Sequence, residues 1–372
     1  MPLIQTQRLS RHFIELCEID SPSGNEEQVA AYLAAFFQEI PGAEIFFDDS
    51  APHTGSSTGN LIIRLPGQGA GAPMAPLFFN CHMDVISPCL GVKVQRDGDI
   101  FRSAGPTVLG GDDKAGIACL MEMALLLQEC GDHCPLEFLF TTCEEIGLLG
   151  AKAFDPSLLR ARQGFALDST GLDNVIIGAP AAVYINVTIQ GRAAHAGLNP
   201  EDGISAIALA AQAISQLSLG RLDPDSTANI GLIKGGIATN IIPDHVELRG
   251  EIRSHSEERL SRHIAKFQEL FTKTVQATDA HLTFSAPPQY PAMRLSDNSA
   301  LLSLVQHAAT KLQRPIEQII AGGGSDANVF NAKELETAIL GIGMENVHSV
   351  DEQISLQALE RTTELCLALA TP

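Results

Sequence analysis

The sequence predicts an α/β protein, a mixed-sheet domain into which a smaller ferredoxin-like module has been inserted. Three observations lead there. Short apolar runs such as Leu77-Phe-Phe-Asn-Cys81 and Leu136-Glu-Phe-Leu-Phe140 flank a long segment of helical period, the alternation expected of an α/β sheet. Between about 181 and 285 the pattern changes to half-exposed alternation, ordered β-α-β-β-α-β. Signals of the earlier kind then resume after Pro291.

The elements follow in order. Over residues 10–38 apolar positions recur at helical spacing, with one break at Ser21-Pro-Ser-Gly24. Phe13, Ile14 and Leu16 precede the break; Val29, Ala30, Leu33 and Phe36-Phe37 follow it. Residues 60–65 and 77–81 read as strands. The glycine-rich link over 67–73 lacks a helix-forming run behind it, and Pro73 and Pro76 intervene, so it reads as a flexible surface turn rather than a phosphate loop. Ile117, Leu120, Met121, Ala124 and Leu125 keep the 3.6 period and define a helix over 115–128. Residues 136–140 and 164–168 read as buried strands. In the inserted segment, Tyr184-Ile-Asn-Val-Thr-Ile189 alternates as a half-exposed strand does. A helix over 202–217, strands over 227–234 and 245–253, an amphipathic helix over 257–274 and a short strand over 280–284 complete the split βαβ unit. The expected division is therefore 1–179 with 290–372, and 180–289.

Length and composition set the outer limits. A chain of 372 residues exceeds a typical single domain, and 45% hydrophobic content allows a sizeable core. A net charge of -20 argues against nucleic-acid and anionic-membrane partners, both of which need basic surface. No stretch approaches the ~20 apolar residues of a membrane span. The first residues, Met1-Pro-Leu-Ile-Gln-Thr-Gln-Arg8, lack the pattern of a secretion signal, and the eight cysteines read as reduced core residues, so a cytoplasmic location is expected. Cys130-Gly-Asp-His133-Cys134 has no matching second pair and reads as a loop with two free thiols.

The chemistry lies where charged groups follow apolar runs. His82-Met-Asp84 ends one strand, Glu144-Glu145 follows another, Asp168 ends a third, and Asp112-Asp113-Lys114 opens the long helix. Residues two apart on a strand point the same way, so His82 and Asp84 share a direction, as a metal-bound imidazole and its orienting carboxylate would. Taken alone, either Asp112 or Asp113 reads better as a helix-capping acid than as a ligand. Together with Glu144-Glu145, Asp168 and the histidines His82 and the late His348, these acidic positions offer two His and three carboxylates, the ligand supply of a two-metal hydrolytic site, whose N and O donors suit zinc or harder divalent ions. His195 reads equally as an exposed turn histidine, Arg253 as a surface charge, and the Gly322-Gly-Gly-Ser325-Asp326 loop as an ordinary helix opening.

Six segments in order carry a family resemblance across nearly the whole chain. They are Asn80-Cys-His82-Met-Asp84, Leu109-Gly-Gly-Asp112-Asp-Lys-Ala-Gly116, Thr141-Thr-Cys-Glu144-Glu145-Ile-Gly147, Ala166-Leu-Asp168, Gly191-Arg-Ala-Ala-His195-Ala-Gly197 and Gly343-Met-Glu-Asn-Val-His348. In these the chain resembles the M20 metallopeptidases, and within them the peptidase T-like aminopeptidases. The resemblance implies a zinc-peptidase catalytic domain with an inserted lid or dimerisation domain, and a homodimer formed through that domain. It implies that His82, Asp112, Glu145, Asp168 and His348 bind two divalent ions, zinc before manganese or cobalt. Asp112 would bridge the ions and be followed by a cis peptide bond. Glu144 would be the general base and Asp84 the group orienting His82. His195 would steady the oxyanion, in some relatives across a dimer interface, while Asn240, Arg253 and Ser325 would line the substrate pocket. An Asp at position 168 points to the aminopeptidase branch acting on short peptides. A carboxypeptidase or N-acyl amino acid deacylase on the same scaffold, or a non-catalytic scaffold, are the competing readings.

Overall fold

The computed structural model describes residues 2–372. The chain divides into two compact units. One runs up to Ile177 and takes up again over Arg294–Ala321 and Ser325–Pro372; the other is Gly178–Met293 with Gly322–Gly324. The crossing points lie two to four residues from those read in the sequence, and the glycine triplet goes with the smaller unit.

The larger unit is built on a mixed sheet. Its strands lie in the order Glu44–Phe47, Leu61–Leu65, Leu136–Thr141, Leu77–His82, Gln163–Ala166, Glu336–Leu340, Asn174–Ala179 and Met293–Arg294, with Glu317–Ile320 paired to Asn174–Ala179 off this path. The four strands from Leu136–Thr141 to Glu336–Leu340 are mutually parallel. Every residue of Leu77–His82 and Leu136–Thr141 is buried, which is why their sequences run apolar instead of alternating. Phe37, Phe79, Phe138, Phe140 and Phe165 cluster along this sheet, mostly as tilted ring pairs with centroids 5.3–6.4 Å apart.

The helices Thr6–Cys17, Glu27–Gln38, Gly111–Cys130 and Leu356–Ala370 contribute to the same core. Gly111–Cys130 is buried nearly all round, so the apolar stripe read over 115–128 marks only part of its contact surface. Midway along it a charge is buried with its partner: Glu122, fully buried, takes Arg8 Nε at 2.7 Å and Nη2 at 2.9 Å. In the sheet, Glu137 is paired with Arg64 of the neighbouring strand at 2.9 Å and also accepts the amides of Arg160 and Ala161. A buried carboxylate in a strand is tolerated because all its partners are supplied.

One loop differs from expectation. The glycine-rich link over 67–73 is a surface turn, as read, but an anchored one: Gln68 pairs with His133, Ala70 N–H donates to Asp132 at 2.7 Å, and a Cβ on Gly71 would lie 2.3 Å from the His133 carbonyl carbon. Glycine here serves close backbone approach.

The smaller unit is an antiparallel sheet in the order Gly220–Asp223, Ser226–Gly235, His245–Ser254, Ala181–Gln190 and His281–Ser285, with Pro288–Tyr290 beside Ala181–Gln190. The helices Ala206–Ile214 and Glu257–Gln276 bury one face, on which Val183, Ile185, Val187, Ile189, Val246, Leu248 and Ile252 point inward. This is the ferredoxin-like βαββαβ arrangement with two short strands added, Gly220–Asp223 and Pro288–Tyr290. Gly220–Asp223 is largely exposed and lacks the apolar alternation that marks the others.

Candidate metal centre and active site

Four parallel strands end at one edge of the large sheet, where side chains at open α/β sheets generally converge. His82 is the last residue of Leu77–His82, and Glu144 and Glu145 follow Leu136–Thr141 by three and four residues. Asp168 follows Gln163–Ala166, and His348 lies in the loop after Glu336–Leu340. Asp112 enters from the start of Gly111–Cys130, where it and Asp113 have non-helical backbone and the bond between them is cis. All seven donors and acid–base groups proposed from the sequence for the large unit thus belong to one locality.

Their atoms meet closely. His82 Nε2 lies 3.0 Å from Asp112 Oδ1, and His348 Nε2 lies 3.4 Å from Asp112 Oδ2 and 3.1 Å from Glu145. Three donor groups have ligand atoms within 4.8 Å of one another: His82 with Asp112 and Asp168, Asp112 with Glu145 and His348, and His82 with Glu144 and Glu145. The first two share Asp112, whose two oxygens face different histidines. Each is a His-plus-two-carboxylate set, suited to a divalent ion of zinc's kind. His82 is almost fully buried whereas the His348 side chain is 53% exposed, so the site opens on the His348 side.

Electrostatics point the same way. Burial, then repulsion from Asp112 with further repulsion from Glu145 and Asp326, pushes Asp168 well above the usual carboxylate range against the pull of His82. Glu144 is likewise lifted, by burial first, with Asp168, Asp326 and Glu145 outweighing His82. Burial also opposes ionisation of Asp112, but hydrogen bonds from His348 and His82 prevail and hold it below that range. Hydrogen bonds from Asp112 and Glu145 push His348 up to about 10. His82 is raised as well, since Asp112 and Asp84 overcome the opposing effect of burial. Carboxylates this crowded repel one another unless cations lie among them, so the donor set fits two divalent ions.

Asp84 holds its neighbours differently from the sequence expectation. The nearest partner of His82 Nδ1 is the backbone carbonyl of Asp84 at 2.9 Å; the Asp84 carboxylate stands 3.6 Å away, beyond hydrogen-bond reach. A carbonyl only accepts, so it keeps the proton of the neutral ring on Nδ1 and leaves Nε2 free toward Asp112. The carboxylate instead accepts the amides of Glu144 at 2.9 Å and Glu145 at 3.2 Å, and the Ser23 hydroxyl at 2.6 Å.

The remaining proposed residues divide. Ser325, 3% exposed, is the N-cap of Asp326–Ala332: its hydroxyl accepts the Ala327 amide at 3.3 Å and the helix start is a full capping box. Its neighbour Asp326 takes the Thr141 hydroxyl at 2.5 Å, and burial pushes it up to about 6 against that hydrogen bond. His195, Asn240 and Arg253 belong to the smaller unit. His195 Nδ1 accepts the amides of Gly197 and Leu198, which fixes the ring with Nε2 outward. Asn240 is exposed, and its backbone carbonyl takes the Ala196 amide at 3.0 Å. Arg253 forms a two-bond fork to Glu251, each 3.0 Å.

A supporting residue that the sequence does not mark lies beside Asp112. Glu352, 2% exposed, accepts the amides of Gly110 at 2.8 Å and Asp112 at 2.9 Å, clamping the turn that presents Asp112. It is set there by Gln353–Ser355, which pairs with Ile100–Ser103. Its spacing of four from His348 was the only available signal.

Comparison with known proteins bears on the whole chain. Residues 177–279 match the peptidase dimerisation domain model, and residues 60–197 match that of peptidase family M28. An uncharacterised Bacillus subtilis protein is 36% identical over 369 residues, covering 99% of this chain and 98% of its own length. Escherichia coli peptidase T is 24% identical over 358 residues, 85% and 86% of the two chains. Among solved structures, the aminopeptidase PepT of Bacillus cereus superposes with a TM-score of 0.90 at 38% identity, covering 98% of both chains. A Staphylococcus aureus tripeptidase does so with a TM-score of 0.93 at 34% identity, again over 98% of both. Identity at this level along almost the full length, together with the dimerisation domain, places the chain in a family: it belongs to the peptidase T-like M20 metallopeptidases.

Proposed function

We propose that the protein is a two-metal aminopeptidase that removes the N-terminal residue of tripeptides. The observation that carries this reading is the pair of His-carboxylate sets sharing Asp112 with the lifted carboxylate of Glu144 beside them. The likeness to an aminopeptidase and a tripeptidase supports the substrate class.

His82, Asp112, Glu145, Asp168 and His348 would hold the ions, and zinc is the metal we propose, since imidazole and carboxylate donors suit it. When bound, a divalent pair supplies acidified water and polarises the scissile carbonyl. Glu144 takes a proton from the attacking water and delivers it to the leaving amine, a role worth typically about 10²–10⁴-fold. A carboxylate lifted by burial holds that proton between the two transfers. Asp84, through the Glu144 and Glu145 amides, keeps base and ligand in register. His195 Nε2, left free by the two amides on Nδ1, is the donor for the developing oxyanion. Arg253, steadied by Glu251, is the residue we assign to the peptide carboxylate, and Asn240 and Ser325 are assigned further substrate contacts.

We further propose a homodimer. Ser226–Gly235 pairs with its short neighbour only as far as Ala228, and beyond that Leu232 is 63% and Ile233 56% exposed. A second copy of the strand would cover that edge, which fits the dimerisation domain matched over 177–279. All eight cysteines are free thiols, seven of them buried, the state a reducing cytoplasm maintains.

The test pairs two measurements on Glu144→Gln. Metal content should stay at the wild-type level while turnover of a free tripeptide is lost; near wild-type activity refutes the base assignment. N-acetylation of the tripeptide should abolish cleavage by the wild-type enzyme. Hydrolysis of the acetylated peptide overturns the aminopeptidase reading in favour of a deacylase or carboxypeptidase.

A further inference from the structure

The segment that presents Glu144 has left the sheet, so its amides need other partners. Leu136–Thr141 ends one residue before it, and each of the next four amides is taken by a side-chain oxygen from elsewhere in the chain. Thr142 N–H donates to Asn60 Oδ1 at 3.1 Å and Cys143 N–H to Glu26 Oε1 at 3.0 Å. Glu144 and Glu145 donate to the two oxygens of Asp84. Within this run Cys143 has a left-handed backbone, φ 53°, uncommon for a residue with a side chain. That turn directs the following residue, Glu144, away from the strand line.

Glu26 grips the turn from both sides. Its Oε1 takes the Cys143 amide and lies 3.4 Å from the Cys143 thiol sulfur, while also accepting the Gly24 amide at 2.9 Å. Its Oε2 takes the Ser56 hydroxyl at 2.5 Å. Glu26 and Cys143 are fully buried, and Ser56 is 9% exposed. Ser23 and Gly24, one residue apart, hold the Asp84 and Glu26 carboxylates respectively, so the two clamps are tied to one loop.

We infer that Glu26 is a positioning residue for the reaction: by holding Cys143 in its left-handed turn it sets the approach of the Glu144 carboxylate. The inference rests on the proposed role of Glu144 as base. A purely structural role is the alternative, since Glu137 grips the Arg160 and Ala161 amides in the same way at the other end of the same strand. That makes Glu137 the control.

The experiment compares Glu26→Gln, Glu137→Gln and Glu144→Gln as full-length, metal-reconstituted proteins on one free tripeptide. Gln keeps the size of Glu26 but not its charge, so the Cys143 and Gly24 amides lose charge-assisted hydrogen bonds of roughly twice the ordinary strength and the turn loosens. A misplacement approaching 1 Å costs up to about 10²-fold, so kcat of Glu26→Gln should fall about tenfold or more, with KM nearly unchanged and full metal content. Glu137→Gln should lose comparable thermal stability yet keep kcat. Wild-type kcat in Glu26→Gln, or an equal kcat loss in Glu137→Gln, overturns the inference. If Glu26→Gln fails to fold, Ser56→Ala replaces it: losing the donor on Oε2 should lower kcat about threefold or more, and unchanged kcat overturns the inference. Activity retained in Glu144→Gln would instead strike the base assignment itself, so the two failures are distinct.

Discussion

Asp84→Asn separates two tasks that one carboxylate could perform. As a carboxylate, Asp84 accepts from Glu144 N–H at 2.9 Å, Glu145 N–H at 3.2 Å and the Ser23 hydroxyl at 2.6 Å. Asparagine has the same shape but only one acceptor oxygen. With that oxygen toward Glu144, the NH₂ group faces Ser23, which can reverse its hydroxyl, and Glu145 N–H, which cannot. One buried amide is then left without an acceptor, a cost of about 1–3 kcal/mol. If that cost falls on the transition state, turnover drops about 5- to 150-fold. Meanwhile the 2.9 Å contact from His82 Nδ1 runs to the backbone carbonyl of residue 84, which the substitution leaves in place. Metal affinity should therefore fall by less than the 10–100-fold usual when an orienting partner is removed. The assay is kcat on a free tripeptide at saturating metal, beside metal dissociation constants from chelator competition. Metal binding weakened a hundredfold with kcat restored at saturation would refute the reasoning, because the carboxylate would then act on His82 and not on the loop.

Four further outcomes follow. Metal affinity should rise with pH through neutrality: His348 is pushed up to about 10 and His82 well above its ordinary range, so both carry protons at pH 7 in the metal-free protein and release them on binding. Calorimetry in two buffers of different ionisation enthalpy measures that release, and a pH-independent affinity contradicts it. The stability that His348 gives the metal-free fold is complete below its unfolded pKa of ~6.5 and is lost as pH rises through about 10; metal-free protein should therefore soften over that window. Glu352→Gln leaves the Gly110 or Asp112 amide facing a donor and should cost about 1–3 kcal/mol in urea unfolding, together with weaker metal binding through Asp112; unchanged stability sinks it. Finally, Ile233→Arg should yield monomers in analytical ultracentrifugation if the exposed edge of Ser226–Gly235 is the proposed dimer contact, and an unchanged mass excludes that strand.

Most of the fold is legible because burial imposes a period. Strands buried on both faces must be continuously apolar, as Leu77–His82 is, and a strand with one wet face must alternate, as Ala181–Gln190 does between Ile185 and Asn186. Where neither constraint acts, nothing is written: Gly220–Asp223 is mostly exposed and carries no pattern. The glycines over 67–73 suggest freedom because composition cannot distinguish a residue that must bend from one that must admit a neighbour's backbone; the close approach of His133 decides for the second.

The site follows the same division. Charged groups at the ends of apolar runs stand out, as His82, Glu144, Glu145 and Asp168 do, while Asp112 opens a helix and His348 follows a polar loop, so these two are marked mainly by the family resemblance. Glu26 and Glu352 stand out on neither count, though each is as buried as any ligand. Glu26 stands just ahead of a helix, where an acid is expected for the dipole alone, and Glu352 follows a polar loop. Their partners are backbone amides, which every residue carries, so no particular sequence marks the other half of the contact. Side chains that grip the main chain are for that reason the hardest to read before a structure exists. They are also the ones that fix where the legible side chains point: Asp112 and Glu144 can be named from the sequence, but Glu352, Glu26 and Asp84 determine the backbone from which they project.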